Sequence, residues 1–140
     1  MDTYDRTSTL ASAPFADRRR PRILVIEDDR HVRTLLRDLL EAWGYAADAV
    51  PGGREGLALF DAGAYDVVLT DLAMAAVSGL DVAAEVRNRD PAVAVIMFTA
   101  AMRDLDGEGR RLGFSVLRKP LDIEGLRRAL HASLTQPRPR

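Results

Sequence analysis

Four branched apolar residues in a row, Ile23-Leu24-Val25-Ile26, stop abruptly at three acids, Glu27-Asp28-Asp29. A run with no polar alternation suits a strand buried on both faces, as in a parallel sheet covered by helices. Val67-Val68-Leu69 and Val93-Ala94-Val95-Ile96-Met97-Phe98 have the same character. Residues 45–50 and 115–118 are weaker strand patterns. Between these runs the period changes. Val32, Leu35, Leu36, Leu39, Leu40 and Trp43 recur at helical spacing and stop at Gly44, which predicts an amphipathic helix with a glycine end. Further helices are predicted over 54–61, over 80–89 with Ser78 as N-cap and Pro91 beyond its end, and over 122–134 with Asp122 as N-cap. Residues 101–112 are expected to form one more helix, interrupted by Gly107 and Gly109. Strand and helix alternate throughout, which implies an α/β fold: a doubly wound parallel sheet with helices on both faces and right-handed crossovers.

In such sheets, ligands bind beyond the carboxyl ends of the strands. The residues at those ends therefore matter most. The first strand ends in Glu27-Asp28-Asp29, the third in Thr70-Asp71, the fourth in Thr99-Ala100-Ala101 and the fifth in Arg118-Lys119-Pro120. Taken singly, each has an ordinary reading as a cap, a turn former or a solvated charge, and Asp29 fits the cap reading best. Together they set three acids, a hydroxyl and a cation along one edge. Carboxylates held close repel and raise one another's pKa. A hard divalent cation removes that penalty, and Mg2+ prefers oxygen ligands. A carboxylate can attack phosphorus to give an acyl phosphate, a reaction that depends mainly on positioning and charge neutralisation. Lys119 and a metal would neutralise phosphoryl oxygens, and the Thr99 hydroxyl would bond another.

Composition sharpens the reading of Lys119. Of 20 basic residues it is the single lysine. A bland solvated position would be expected to hold arginine here as elsewhere. A compact ammonium suits a crowded pocket better than a planar guanidinium. The absence of cysteine excludes disulfides and thiolate chemistry, and a net charge of -1 argues against a general polyanion binder. His31 and His131 are too far apart in sequence to argue for a metal site and are expected at the surface.

The stretches Ile23-Leu24-Val25-Ile26-Glu27-Asp28-Asp29, Val67-Val68-Leu69-Thr70-Asp71-Leu72-Ala73-Met74 with Ser78-Gly79, Met97-Phe98-Thr99-Ala100 and Arg118-Lys119-Pro120 resemble the receiver domain of bacterial response regulators, of the single-domain, chemotaxis-regulator type. The likeness covers about residues 22–134. It implies a five-stranded, flavodoxin-like sheet of order 2-1-3-4-5. Asp71 is the implied phosphoacceptor, with Thr99 and Lys119 as its catalytic partners. The implied metal site is Glu27 through water, Asp28 directly, Asp71 and the Ala73 backbone carbonyl, holding Mg2+ or, as an alternative, Mn2+. The implied donor is a histidine kinase or histidine phosphotransfer protein.

Residues 1–21 and 135–140 are expected to be tails, the first of them disordered. The sequence has no apolar run long enough to span a membrane and no signal-peptide pattern, so a cytoplasmic location is expected. Nothing after residue 134 is long enough for a DNA-binding module, which leaves an unidentified output protein or onward relay as the expected route, without direct DNA binding. Two differences from the family pattern bear on that route. Ala75 stands where proline is usual, and Val116 where an aromatic residue is usual, with Phe114 two residues earlier on the same strand face. The span from Thr99 to Lys119 is also short, so the fourth helix is expected to be short and mobile. Two rival readings remain. One is an interaction module that works without phosphorylation. The other is a Mg2+-dependent phosphohydrolase, which would need an acid two residues after its nucleophile, where Ala73 stands. Turnover beyond slow self-dephosphorylation is therefore not expected. The glycines near 52–56 and 107–109 lack the spacing of a nucleotide loop.

Overall fold

The computed structural model describes residues 20–135. The expected tails lie outside the described residues, apart from Arg20, Pro21 and Thr135. Ten elements alternate: β1 (Arg22–Ile26), α1 (Arg30–Ala42), β2 (Ala46–Val50), α2 (Gly53–Ala62), β3 (Val67–Asp71), α3 (Gly79–Arg89), β4 (Ala94–Thr99), α4 (Asp106–Leu112), β5 (Phe114–Arg118) and α5 (Ile123–Thr135). The strands form one parallel sheet in the order β2-β1-β3-β4-β5. This is the doubly wound fold that the alternation implied, in the strand order that the family resemblance implied.

The continuous apolar runs are buried on both faces for the expected reason. All five residues of β3 are buried. On one face Leu36 and Leu40 of α1 and Leu126 and Leu130 of α5 pack on Ile23, Val25, Val67, Leu69, Ile96 and Phe98. On the other, Phe60, Val82, Val86 and Leu112 from α2, α3 and α4 pack on Leu24, Ile26, Val68, Val95 and Met97. Phe114 and Val116 share this second face, as their spacing predicts. Each fully buried Leu or Ile contributes about 1.5–3 kcal/mol. His31 and His131 are both exposed, as expected.

Local chemistry sets the helix starts. The Asp29 carboxylate accepts from the His31 and Val32 N–H groups and caps α1. Ser78 caps α3 in a reciprocal capping box with Asp81. At the other end of the sheet, Tyr65 donates a 2.6 Å hydrogen bond to Asp48, which Arg22 also contacts. Burial, then the bond and charge of Asp48, push the Tyr65 hydroxyl up to about 12. This cluster ties the edge strand β2 to the start of β1.

One boundary differs from expectation. The fourth helix covers Asp106–Leu112 only, and residues 101–105 are not helical. Side chains capture the backbone there before a helix can form. The Thr99 hydroxyl accepts from the Ala101 N–H at 2.9 Å, and the Asp104 carboxylate accepts from the Asp106 N–H at 2.8 Å. Arg118 closes the segment from β5, donating to the carbonyls of Ala101 and Arg103. Gly107 and Gly109 lie inside α4, not in a loop. The short helix is anchored at its far end by Arg87 of α3. That guanidinium donates to the carbonyls of Leu112 (2.9 Å), Gly113 (3.1 Å), Asp90 (3.1 Å), Pro91 (2.8 Å) and Val93 (2.8 Å). It joins the ends of α3 and α4 to the start of β4. Gly113, at φ 74°, takes the left-handed turn that follows α4.

Two arginines thus hold a region that propensity alone would not. Arg87→Ala should lower unfolding stability by roughly 2–3 kcal/mol, because carbonyls bonded to a charged donor lose it together. Arg87→Lys should recover less than half, since an ammonium cannot reach carbonyls on both sides. Urea unfolding followed by Trp43 fluorescence measures both. Arg118→Ala should speed amide exchange at Ala101 by about fivefold, equivalent to roughly 1 kcal/mol of lost anchoring, with β3 unaffected. An unchanged rate at Ala101 would show that the loop is held without Arg118.

Candidate functional site

The parallel sheet delivers its strand ends to one edge. At β1, the Glu27 N–H still bonds the Val50 carbonyl at 3.0 Å, so the ladder holds Glu27 in place. Its side chain is buried at 1% exposure, whereas Asp28 is exposed. At β3, Asp71 is buried at 6% exposure, and at β4 Thr99 is buried at 1%. From β5, the Lys119 N–H bonds the Thr99 carbonyl at 2.8 Å and carries its side chain across the sheet edge.

The Lys119 ammonium meets Glu27 Oε1 and Asp71 Oδ2, each at 3.2 Å. It also lies 5.1 Å from the centre of the Phe98 ring. Glu27 uses its other oxygen to accept from the Asp29 N–H at 3.0 Å, and Asp71 Oδ1 accepts from the Ala73 N–H at 3.3 Å. Burial pushes the Glu27 carboxyl above its ordinary pKa, against the Asp29 N–H; the charge of Asp71 adds to the rise and Lys119 opposes it. For Lys119, burial acts downward, but the bonds and charges of Asp71 and Glu27 outweigh it and the pKa rises. The lysine is therefore held as an ammonium.

Carboxylate oxygens of Glu27, Asp28 and Asp71 lie within 4.8 Å of one another. The donor set is all oxygen, it is negatively charged, and one member is exposed. Those properties fit a hard divalent cation that keeps part of its water shell. The sequence-predicted residues thus divide cleanly. Glu27, Asp28, Asp71 and Lys119 come together directly. Thr99 adjoins them through the Lys119 backbone, and its hydroxyl, accepting from Ala101, still has its own O–H to donate. Ala73 is exposed beside Asp71. Asp29 stands apart as a helix cap.

Two contributors escaped the sequence reading. Arg33 of α1 donates from one nitrogen to the Glu27 carbonyl at 2.9 Å and the Asp28 carbonyl at 3.3 Å. Its only sequence signal is a position in the first turns of the helix that follows the acids. Gly79 starts α3 directly behind the acceptor. A methyl group there would collide with the Asp71 carbonyl oxygen and lie 2.7 Å from Met97 Sδ. The Ser78-Gly79 pair signalled a cap but not this close approach.

Comparison with known proteins bears on the fold and the family. The family model described as response regulator receiver domain matches residues 23–131. The chain is 34% identical over 119 residues to the transcriptional regulatory protein RprY of Bacteroides fragilis, covering 84% of this chain and 50% of RprY. It is 33% identical over 114 residues to the transcriptional regulatory protein ZraR of Escherichia coli, covering 80% of this chain and 26% of ZraR. The chain therefore spans about half or less of the length of these relatives. Among solved structures, the Vibrio cholerae chemotaxis protein CheY4 superposes with a TM-score of 0.78 at 25% identity, over 82% of this chain and 99% of that one. The Thermotoga maritima response regulator TrrA, solved in complex with Mg2+–BeF, superposes with a TM-score of 0.75 at 31% identity, over 81% and 99%. With the sheet order and the acid–lysine edge already in place, the match over nearly the whole described chain is decisive: this protein belongs to the response regulator receiver domain family, a signalling module of two-component systems.

Proposed function

We propose that Asp71 accepts a phosphoryl group from a phosphohistidine on a histidine kinase or histidine phosphotransfer protein, with Mg2+ held by Glu27, Asp28, Asp71 and the Ala73 carbonyl. The observation that carries this reading is the Lys119 ammonium bonded at once to Glu27 and Asp71, two of the three clustered carboxylates. The Mg2+–BeF complex of TrrA supports it.

An Asp71 carboxylate oxygen forms the new bond to phosphorus as the bond from phosphorus to the donor's imidazole nitrogen breaks. The imidazole leaves with the electron pair and takes a proton from water, and Asp71 carries the acyl phosphate. Bound metal supplies charge neutralisation for the phosphoryl oxygens. Lys119 fixes the Asp71 carboxylate before reaction and keeps a positive charge beside the oxygens afterwards. The Thr99 O–H donates to one of them. No carboxylate stands two residues beyond Asp71 to activate water, so the phosphoryl group leaves slowly.

The test is intact mass after incubation with Mg2+ and phosphoramidate or acetyl phosphate. The expected product is a single adduct of about 80 Da, one phosphoryl group, absent from Asp71→Asn and from samples treated with a chelator. Lys119→Arg should react at least about tenfold more slowly, because a planar guanidinium does not reproduce the two-carboxylate contact. No adduct with any donor would instead favour an interaction module that works unphosphorylated.

A further inference from the structure

The three clustered acids are not held equally. Glu27 is fixed through both oxygens, by Lys119 and by the Asp29 N–H. Asp71 is fixed through both oxygens, by Lys119 and by the Ala73 N–H. Among the described residues, the Asp28 carboxylate makes no hydrogen bond or ion pair of its own. Its placement therefore depends on the backbone that carries it more than that of either neighbour.

That backbone has left the sheet. The last ladder bond of β1 is from the Glu27 N–H to Val50, and the chain then turns into α1. Arg33 grips this turn, donating from Nη1 to the carbonyls of Glu27 and Asp28, the two peptide units that flank the Asp28 Cα atom. The α1 cap places Arg33 for the task, because Asp29 accepts from His31 and Val32 and its carbonyl accepts from the Arg33 N–H at 2.9 Å. The guanidinium therefore touches carbonyls behind the acids and leaves the carboxylate oxygens uncovered. Lys119, by contrast, occupies carboxylate oxygens directly.

We propose that Arg33 is a positioning residue for the metal: by holding the Glu27 and Asp28 carbonyls it aims the Asp28 carboxylate at the cation and sets Mg2+ affinity. This rests on the functional reading above. Groups one step behind metal ligands typically change affinity about 10- to 100-fold when removed. The sign is diagnostic. Removing a nearby positive charge, by electrostatics alone, would tighten binding of a divalent cation. Loss of positioning weakens it.

The experiment is calorimetric titration of the full chain with Mg2+ alone, without any phosphodonor. Arg33→Ala should weaken binding about tenfold or more, with near-UV circular dichroism unchanged. Arg33→Lys keeps the charge on a shorter stem and should fall between wild type and alanine. It also carries the test if the alanine variant does not fold, since an Arg33→Lys variant binding as tightly as wild type would overturn the assignment. Arg37→Ala, which removes a charge from the same helix at a side chain that pairs with Asp38, should not weaken binding. Equal or tighter Mg2+ binding by Arg33→Ala, beside a wild type that binds Mg2+, overturns the role of Arg33 and leaves the acceptor reading intact. A wild type that binds no Mg2+ overturns both.

Discussion

Glu27 and Asp71 are buried carboxylates at the ends of two adjacent strands, and a cation between them offsets their mutual repulsion. The Lys119 ammonium supplies it with paired 3.2 Å contacts. Removing one partner of such a group leaves an uncompensated buried charge, which costs several kcal/mol. The rest of the fold can be understood as the means of delivering these three side chains to one place. β1 and β3 are neighbours in the sheet, so their last residues emerge side by side. β5 lies beyond β4, and the backbone bond from Lys119 to Thr99 fixes where the long lysine stem begins its reach. The all-apolar strands permit this because both their faces are sealed by helices, leaving the strand ends as the place where polar chemistry can gather.

Much of that scheme was legible in the sequence, because it depends on patterns that survive without coordinates. Continuous apolar runs at 23–26, 67–69 and 93–98 require burial on two faces. The helical spacing of Val32 through Trp43 requires one apolar stripe. Asp29 and Ser78 sit where caps belong, and both cap. Once alternation implied a parallel sheet, the strand-end residues Glu27, Asp28, Asp71, Thr99 and Lys119 followed as neighbours.

What stayed hidden was the work of arginine. Arg33, Arg87 and Arg118 each bind backbone carbonyls, and a carbonyl has no letter in the sequence. In a chain that uses arginine at almost every basic position, composition cannot separate a solvated one from one that clamps a turn. The same blindness explains the fourth helix. Its start is decided by which backbone N–H groups Thr99 and Asp104 capture, and its survival by Arg87 reaching from α3. Neither is a property of residues 101–112 alone. Gly79 is a similar case, since its need for close approach to the Asp71 carbonyl appears only when α3 and β3 are seen together.

That close approach makes the surroundings of Asp71 mechanically unequal. Behind the residue, the start of α3 is pressed against the β3 backbone with no room for even a methyl group. On the β4 side stand small residues, Ala100 and Ala101, in a segment tied by a threonine hydroxyl and an exposed arginine. One side is closed by backbone packing and the other by side-chain hydrogen bonds. A side-chain carbon at residue 79 would strike the backbone of the acceptor itself, so the start of α3 can lie this close to Asp71 only as glycine.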